Sequence, residues 1–267
     1  MLVLNRRKFV LREKLLIKVI LFKRKVLLTP MQEKVNNKMH IPDGFLSPSV
    51  FTTAFVITII FWAISFKKTR LTDKQVPIMG LLTALFFAAQ MMNYPIVFGT
   101  PTAHLIGGAA IGLILGPYAG CISMTVILVL QSLLFGDGGI TALGANVLNM
   151  GIIGIFVPCA LFLLMNKFLK GTGKKLYTVI FVSAFAGDVL AAIAAGTELA
   201  LSQPTFQYGL SVAVPAMAIN HSIIGAAEGI VTMVLIGTLL KLRPDVLEQS
   251  PILKRLSVFR NKKEVKE

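Results

Sequence analysis

Acidic residues are scarce in this sequence: 12 Asp and Glu stand against 27 Lys and Arg, leaving a formal charge of +15. Such an excess raises the question of nucleic acid, but a basic surface interleaved with aromatic residues is missing, which argues against that partner. Cysteine is nearly absent as well. Cys121 and Cys159 each sit inside an apolar run, the setting of a small packed hydrophobe rather than of a disulfide or a metal ligand, and they carry no information on redox compartment. No G-x-x-x-x-G-K-[ST] occurs, so the chain brings no ATP-hydrolysing loop of its own.

Apolar residues are abundant instead. They make up 55% of the 267 residues, against about 45 to 50% in soluble domains, and the mean hydropathy is +0.77. The sequence therefore reads as a membrane protein. A spanning helix needs about 20 mostly apolar residues, and spans are expected at Ser49–Phe66, Val76–Met92, Ala103–Leu115, Tyr118–Phe135, Val147–Phe168, Leu176–Leu201 and His221–Leu240. The third is short, with only Gly116-Pro117 before the fourth. The expected fold class is all-α, a polytopic bundle of seven transmembrane helices in the cell membrane.

Positive charge orients such a bundle, because cytoplasmic loops are enriched in Lys and Arg. The loop after the first span holds Lys67, Lys68, Arg70 and Lys74, the loop after the fifth Lys167, Lys170, Lys174 and Lys175, and Lys241 and Arg243 follow the seventh. The alternate connections, NYPIVFGTPT, GDGGITALG and SQPTFQYG, contain neither residue. The stretch before the first span is then outside and the C-terminus cytoplasmic. Residues 1–38 collide with this, since eleven Lys and Arg against Glu13 and Glu33 give them +9. They match a signal-peptide core poorly, and a basic surface helix would hold residue 38 inside. Met39 is expected to be the working N-terminus, through a start codon there or removal of a leader. The chain thus divides into a basic extension (1–38), a membrane domain (39–240) and a basic cytoplasmic tail (241–267).

All three histidines, His40, His104 and His221, fall at the outer side of their segments. One alone would be read as structural; three together point to a metal. A free Met39 amine, the backbone nitrogen of His40 and the His40 imidazole Nδ1 close fused five- and six-membered chelate rings. A nitrogen from His104 completes a planar four-nitrogen set, which suits Ni²⁺ or Cu²⁺ and not tetrahedral Zn²⁺.

Four stretches then carry a resemblance: MHIPDGFLSP from Met39, GTPTAHLIGGAAIGLILGP around His104, QSLLFGDGGITALGANVLNMG from Gln131, and HSIIGAAEGIVT from His221. In order and spacing they resemble the CbiM/NikM family, the substrate-capture membrane subunits of energy-coupling factor transporters for cobalt and nickel. The resemblance runs from Met39 to about Leu240. It implies Ni²⁺ or Co²⁺ as the transported substrate, held by Met39, His40 and His104. It also implies partners: a transmembrane coupling subunit, ATPase subunits that hydrolyse ATP, and a small accessory membrane subunit. The chain itself is then no enzyme. The extension before Met39 departs from the family pattern.

Polar residues near the outer face are candidates to orient the ligands by hydrogen bonds: Asp43, Thr102, Asn146, Asn149, His221 and Glu228. His221 and Glu228 lie two helical turns apart on one face, and Glu228 is read either as an interhelical hydrogen-bond former or as part of the metal path. Asp188 and Glu198 are assigned to loops and helix packing. Gly138-Gly139 is expected to let the backbone fold back over a cavity, or simply to make a tight turn. The small-residue rows Ala84/Ala88 and Gly108/Gly112/Gly116 suit close helix packing, and the resemblance adds that such faces dock the coupling subunit. Two rival functions fit less well. A stand-alone secondary transporter or channel should show charged relays or repeat-related broken helices, and a membrane metalloenzyme should show H-E-x-x-H and an open coordination position.

Overall fold

Inside a bilayer every backbone polar group must be satisfied within the protein, and an uncharged apolar run does so locally only as a helix. The computed structural model describes residues 39–92, 104–169 and 173–256, and all regular elements among them are helical. The chain divides into two units, Met1–Lys38 and Met39–Glu267, and the described residues all belong to the second. Helix α1 is Pro48–Lys68, α2 Gln75–Gln90, α3 Gly108–Leu115, α4 Pro117–Phe135, α5 Leu143–Leu169, α6 Lys174–Ala200, α7 Leu210–Leu242 and α8 Pro244–Glu248. Five of these, α1 and α4 to α7, are long and apolar enough to cross a membrane; α2 is a shorter apolar helix of 16 residues.

The expected third span is the short one. Helix α3 has eight residues, all buried, and rises about 12 Å at 1.5 Å per residue. It ends at Gly116 because Pro117, lacking an N–H, opens α4 instead. Gly108 and Gly112 let it lie directly on α5: a Cβ added at Gly108 would stand 2.4 Å from the Gly154 carbonyl oxygen, and one at Gly112 3.0 Å from the Cys159 sulfur. That row is thus used for packing within the chain. On α2, by contrast, Ala84 and Ala88 are both exposed.

Helix α1 shows the inverted pattern of a lipid-facing element. Ile59, Ile60 and Phe66 are exposed, whereas Ala54, Thr58 and Ser65 form the buried stripe. Thr58 Oγ1 donates to the Gly144 carbonyl at 2.7 Å. Helices α6 and α7 pack along their lengths with Gly225 and Gly229 against Phe185 and Phe181. At the far end Ser250 Oγ donates to the Leu113 carbonyl at 2.5 Å, and Leu247, Leu253 and Leu256 are fully buried. The bundle is therefore sealed beneath α3.

Two stretches depart from α geometry, and both carry site residues. Helix α4 widens into a π-helical turn at Gln131–Phe135, and α5 does the same at Val147–Ile153. Such turns often mark functional places, because they rotate side chains out of the regular helical register. Here they present Gln131 and Asn149 to the interior, both buried.

Candidate metal centre

The segment ahead of α1 is irregular, so its backbone groups need partners from elsewhere. Asn146 on α5 supplies two: Ile41 N–H donates to Asn146 Oδ1 and Asn146 Nδ2 donates to the Ile41 carbonyl, both at 3.1 Å. Gly139 N–H also donates to the Ile41 carbonyl, at 2.9 Å. Asp43 Oδ1 accepts from Thr141 N–H at 2.8 Å and from Thr141 Oγ1 at 2.6 Å. The approach is so close that a Cβ at Gly139 would lie 2.3 Å from the Asp43 nitrogen. Gly138, at φ +91°, turns the loop in the left-handed region that favours glycine. The loop thus folds back over the site, the first of the two expected roles of Gly138-Gly139.

This clamp delivers His40 to the interior. Its Nε2 donates to Gln131 Oε1 at 2.9 Å, with Asp137 Oδ2 at 3.9 Å. Asp137 Oδ1 accepts from the Met39 nitrogen at 2.8 Å. An amide oxygen only accepts, so Nε2 carries the proton and Nδ1 keeps its lone pair. The His104 ring meets that of His40 edge-on, with centroids 4.9 Å apart and planes at 87°. His104 Nδ1 donates to the Leu105 carbonyl at 3.2 Å, which leaves Nε2 as the ring nitrogen able to offer a lone pair, and the Met39 backbone lies beside the ring. Burial holds both imidazoles below their ordinary value, and His104, further opposed by His40, is pushed down to about 3. Both rings are neutral near pH 7 and both offer a lone pair.

A cavity of about 70 Å³ opens between them, lined by Met39, His40, His104, Asn146, Asn149 and His221 together with Ile41, Ile106, Met150, Met217 and the alanines 191, 192 and 195. The three histidines, 40, 104 and 221, therefore share one cavity, as do Asn146 and Asn149. Asp43 is absent from its lining and clamps Thr141 instead. Glu228 is also absent, and lies in a separate crevice with Asp188. Thr102 and residues 1–38 fall outside the described residues. Asp188 and Glu198 do more than pack helices: Asp188 Oδ2 is 3.2 Å from His221 Nδ1, and Glu198 Oε2 accepts from Asn149 Nδ2 at 2.7 Å.

Gln131 and Asp137 were not singled out from the sequence, although they hold His40 and Met39. The available signal was a lone acid in a loop without Lys or Arg, six residues after a buried glutamine. Among the described residues, no three His, Cys, Asp or Glu side chains form a group able to hold a metal. Two imidazoles therefore need donors of another kind, and the main-chain nitrogens of Met39 and His40 stand beside them.

Comparison with known proteins bears on the chain as a whole. Residues 40–246 match the model of a family described as the cobalt uptake substrate-specific transmembrane region, CbiM. The chain is 41% identical over 211 residues to a putative fused nickel transport protein NikMN of Archaeoglobus fulgidus, covering 79% of this chain and 68% of that one. It is 39% identical over 223 residues to the fused nickel transport protein NikMN of Rhodobacter capsulatus, covering 78% of this chain but 64% of the relative. It thus spans about two thirds of these fused relatives. A crystal structure of a truncated transition metal transporter superposes with a TM-score of 0.70 at 38% identity, covering 76% of this chain and 99% of that one.

Proposed function

The chain belongs to the CbiM family of cobalt uptake transmembrane proteins, and from that premise we propose that it captures Ni²⁺ or Co²⁺ outside the membrane for ATP-driven import. It is a multi-pass membrane component of cobalt and nickel transport. In our reading it is the substrate-binding subunit of an energy-coupling factor transporter, in which a coupling subunit and ATPase subunits supply the energy. The observation that carries this is the pair His40 and His104, with ring centroids 4.9 Å apart over a cavity that Met39 also lines.

The chemistry follows from which atoms are spoken for. His40 has Nε2 tied to Gln131, so Nδ1 faces its own backbone nitrogen, and these two close a six-membered chelate ring around the cation. In a chain that begins at Met39, the α-amine closes a five-membered ring on the other side, and His104 Nε2 provides the fourth nitrogen. Asp137 holds the Met39 nitrogen in place. A four-nitrogen plane favours the later divalent metals, which fits Ni²⁺ and Co²⁺ alike. His221 and Asn149, each held by a carboxylate, border the cation without belonging to the chelate. The Lys and Arg at the opposite ends of α1, α5 and α7 support a capture site on the outer face, and the exposed Ala84 face of α2 offers the coupling subunit a close approach.

The test is calorimetry on detergent-purified protein. A chain beginning at Met39 should bind one equivalent of Ni²⁺ tightly, and His40→Ala or His104→Ala should abolish that binding. A chain that retains residues 1–38 should bind far more weakly. Equal affinity with and without the extension would remove the amine from the ligand set, and wild-type affinity in His104→Ala would remove the fourth ligand.

A further inference from the structure

Two turns along α7 from His221, Glu228 is only 2% exposed, and among the described residues neither of its carboxylate oxygens has a hydrogen-bond partner. The backbone amides of Ile106 and Gly107 face it without reaching hydrogen-bond geometry. Asp188 on α6 is 3% exposed; it gives Oδ2 to His221 and leaves Oδ1 unpartnered. Both carboxylates line one crevice with Ile106, Gly108, Ala109 and Gly154, and no Lys or Arg lines it. A carboxylate buried in a membrane bundle ordinarily finds a cation or a set of donors. Among the described residues His221 is the one side chain hydrogen-bonded to either carboxylate, and it is spent on Asp188.

The crevice adjoins the capture cavity through one side chain. Ile106 lines both, and it lies two residues after His104. The other apolar lining of the crevice is glycine and alanine. Ile106 is therefore the side chain that the two spaces share. Because His104 and Ile106 ride on the same short stretch, loss of the His104 contact and opening of the crevice can be one motion.

We propose that Glu228 and Asp188 form a transit site for the divalent cation, occupied after the cation leaves His40 and His104. The proposal rests on the capture reading above. Two carboxylates offer oxygen donors in place of a nitrogen chelate, and so hold a late divalent metal more weakly. Transport needs that difference, because a cation must be held well enough to enter each site and loosely enough to leave it. His221 at the cavity, Asp188 behind it and Glu228 about 10 Å along α7 from His221 form a descending series.

The experiment uses the chain assembled with its coupling and ATPase subunits in proteoliposomes, with radioactive Ni²⁺ as probe. Glu228→Gln should leave the capture affinity within about twofold by calorimetry and leave the unfolding temperature unchanged or raised, since a buried acid without a hydrogen-bond partner is replaced by a neutral group of the same shape. Uptake at saturating Ni²⁺ should fall by on the order of tenfold or more, and Glu228→Asp should restore much of it. Asp188→Asn should slow uptake in the same way. Wild-type uptake by Glu228→Gln would overturn the proposal, and so would a matched loss of capture affinity, which would make Glu228 part of the capture site. If Glu228→Gln does not fold, Asp188→Asn decides, and wild-type uptake by that variant overturns the proposal. Failure of the capture reading would show separately, as unaltered binding by His104→Ala.

Discussion

His40 donates its Nε2 proton to Gln131 Oε1 across 2.9 Å, and the contact decides which ring nitrogen is left for a cation. Only Nδ1 can chelate together with the His40 backbone nitrogen. A ring free to flip would spend part of its time offering the wrong atom. Gln131→Ala should therefore weaken Ni²⁺ binding by about 10- to 100-fold, the usual cost of losing a hydrogen bond that orients a ligand. Gln131→Glu, which still accepts from Nε2, should retain most of the affinity. Calorimetry on the two variants checks this, and equal affinities would mean that Gln131 does not set the tautomer.

Gly139 is pressed against the segment that carries His40. A methyl group there would lie 2.3 Å from the Asp43 nitrogen and 2.7 Å from the Pro42 carbonyl carbon. Gly139→Ala must push the loop and the ligand segment apart, so Ni²⁺ affinity should drop by on the order of tenfold. Gly80→Ala on α2, where nothing stands within 4 Å, should bind as wild type does. Equal binding by both variants would show that the loop does not position the site.

Acid should destabilise the metal-free protein, and the sign follows from His104. Its folded value is about 3 against an ordinary 6.5, so between those values the unfolded chain takes up a proton that the folded chain refuses. Stability is then fully present above pH 6.5 and is lost as the pH falls from 6.5 toward 3. Burial lowers His40 in the same direction. The unfolding temperature in detergent should be lower at pH 5.0 than at pH 7.5, and His104→Gln should flatten the difference. A higher unfolding temperature at pH 5.0 would contradict the neutral assignment of the pair.

A plane of four nitrogens pairs the d electrons of Ni²⁺. A chain beginning at Met39 and loaded with Ni²⁺ should be diamagnetic and yellow to orange, with no axial ligand. Absorption and magnetic susceptibility measure this directly. A paramagnetic, octahedral spectrum would mean that water and carboxylates hold the cation.

Much of the bundle was legible because lipid demands long uncharged runs, and His40 and His104 were legible as rare ionisable groups. The start of α7 was not. Asn220, His221 and Ser222 look like a loop edge, and Pro215 looks like a break, yet the helix runs from Leu210 to Leu242. It can do so because Asn220 Nδ2 donates to the Ala216 carbonyl and Ser222 Oγ to the Ala218 carbonyl, at 2.9 and 2.7 Å. These side chains satisfy themselves on the preceding turn and need no water. Gln131 and Asp137 were hidden for a different reason: their partners lie 91 and 98 positions away, and a buried hydrogen bond over that separation exists only once the helices have packed. The π-helical turns at Gln131 and Val147 likewise carry no local signature, being set by what the side chains must reach.

The paired contacts between Asn146 and the Ile41 peptide behave like a caliper. Both the N–H and the carbonyl of one residue are gripped by one side chain, so the grip reads chain position and ignores the identity of the side chain at 41. It fixes His40 one step upstream of the jaws and Met39 two steps upstream. An inserted or deleted residue between Met39 and Ile41 would leave the grip intact while moving a different atom into each ligand position. In a chain that begins at Met39 the proposed site would be gauged by length, and shifting that start by a single codon would alter its chemistry as thoroughly as losing a histidine.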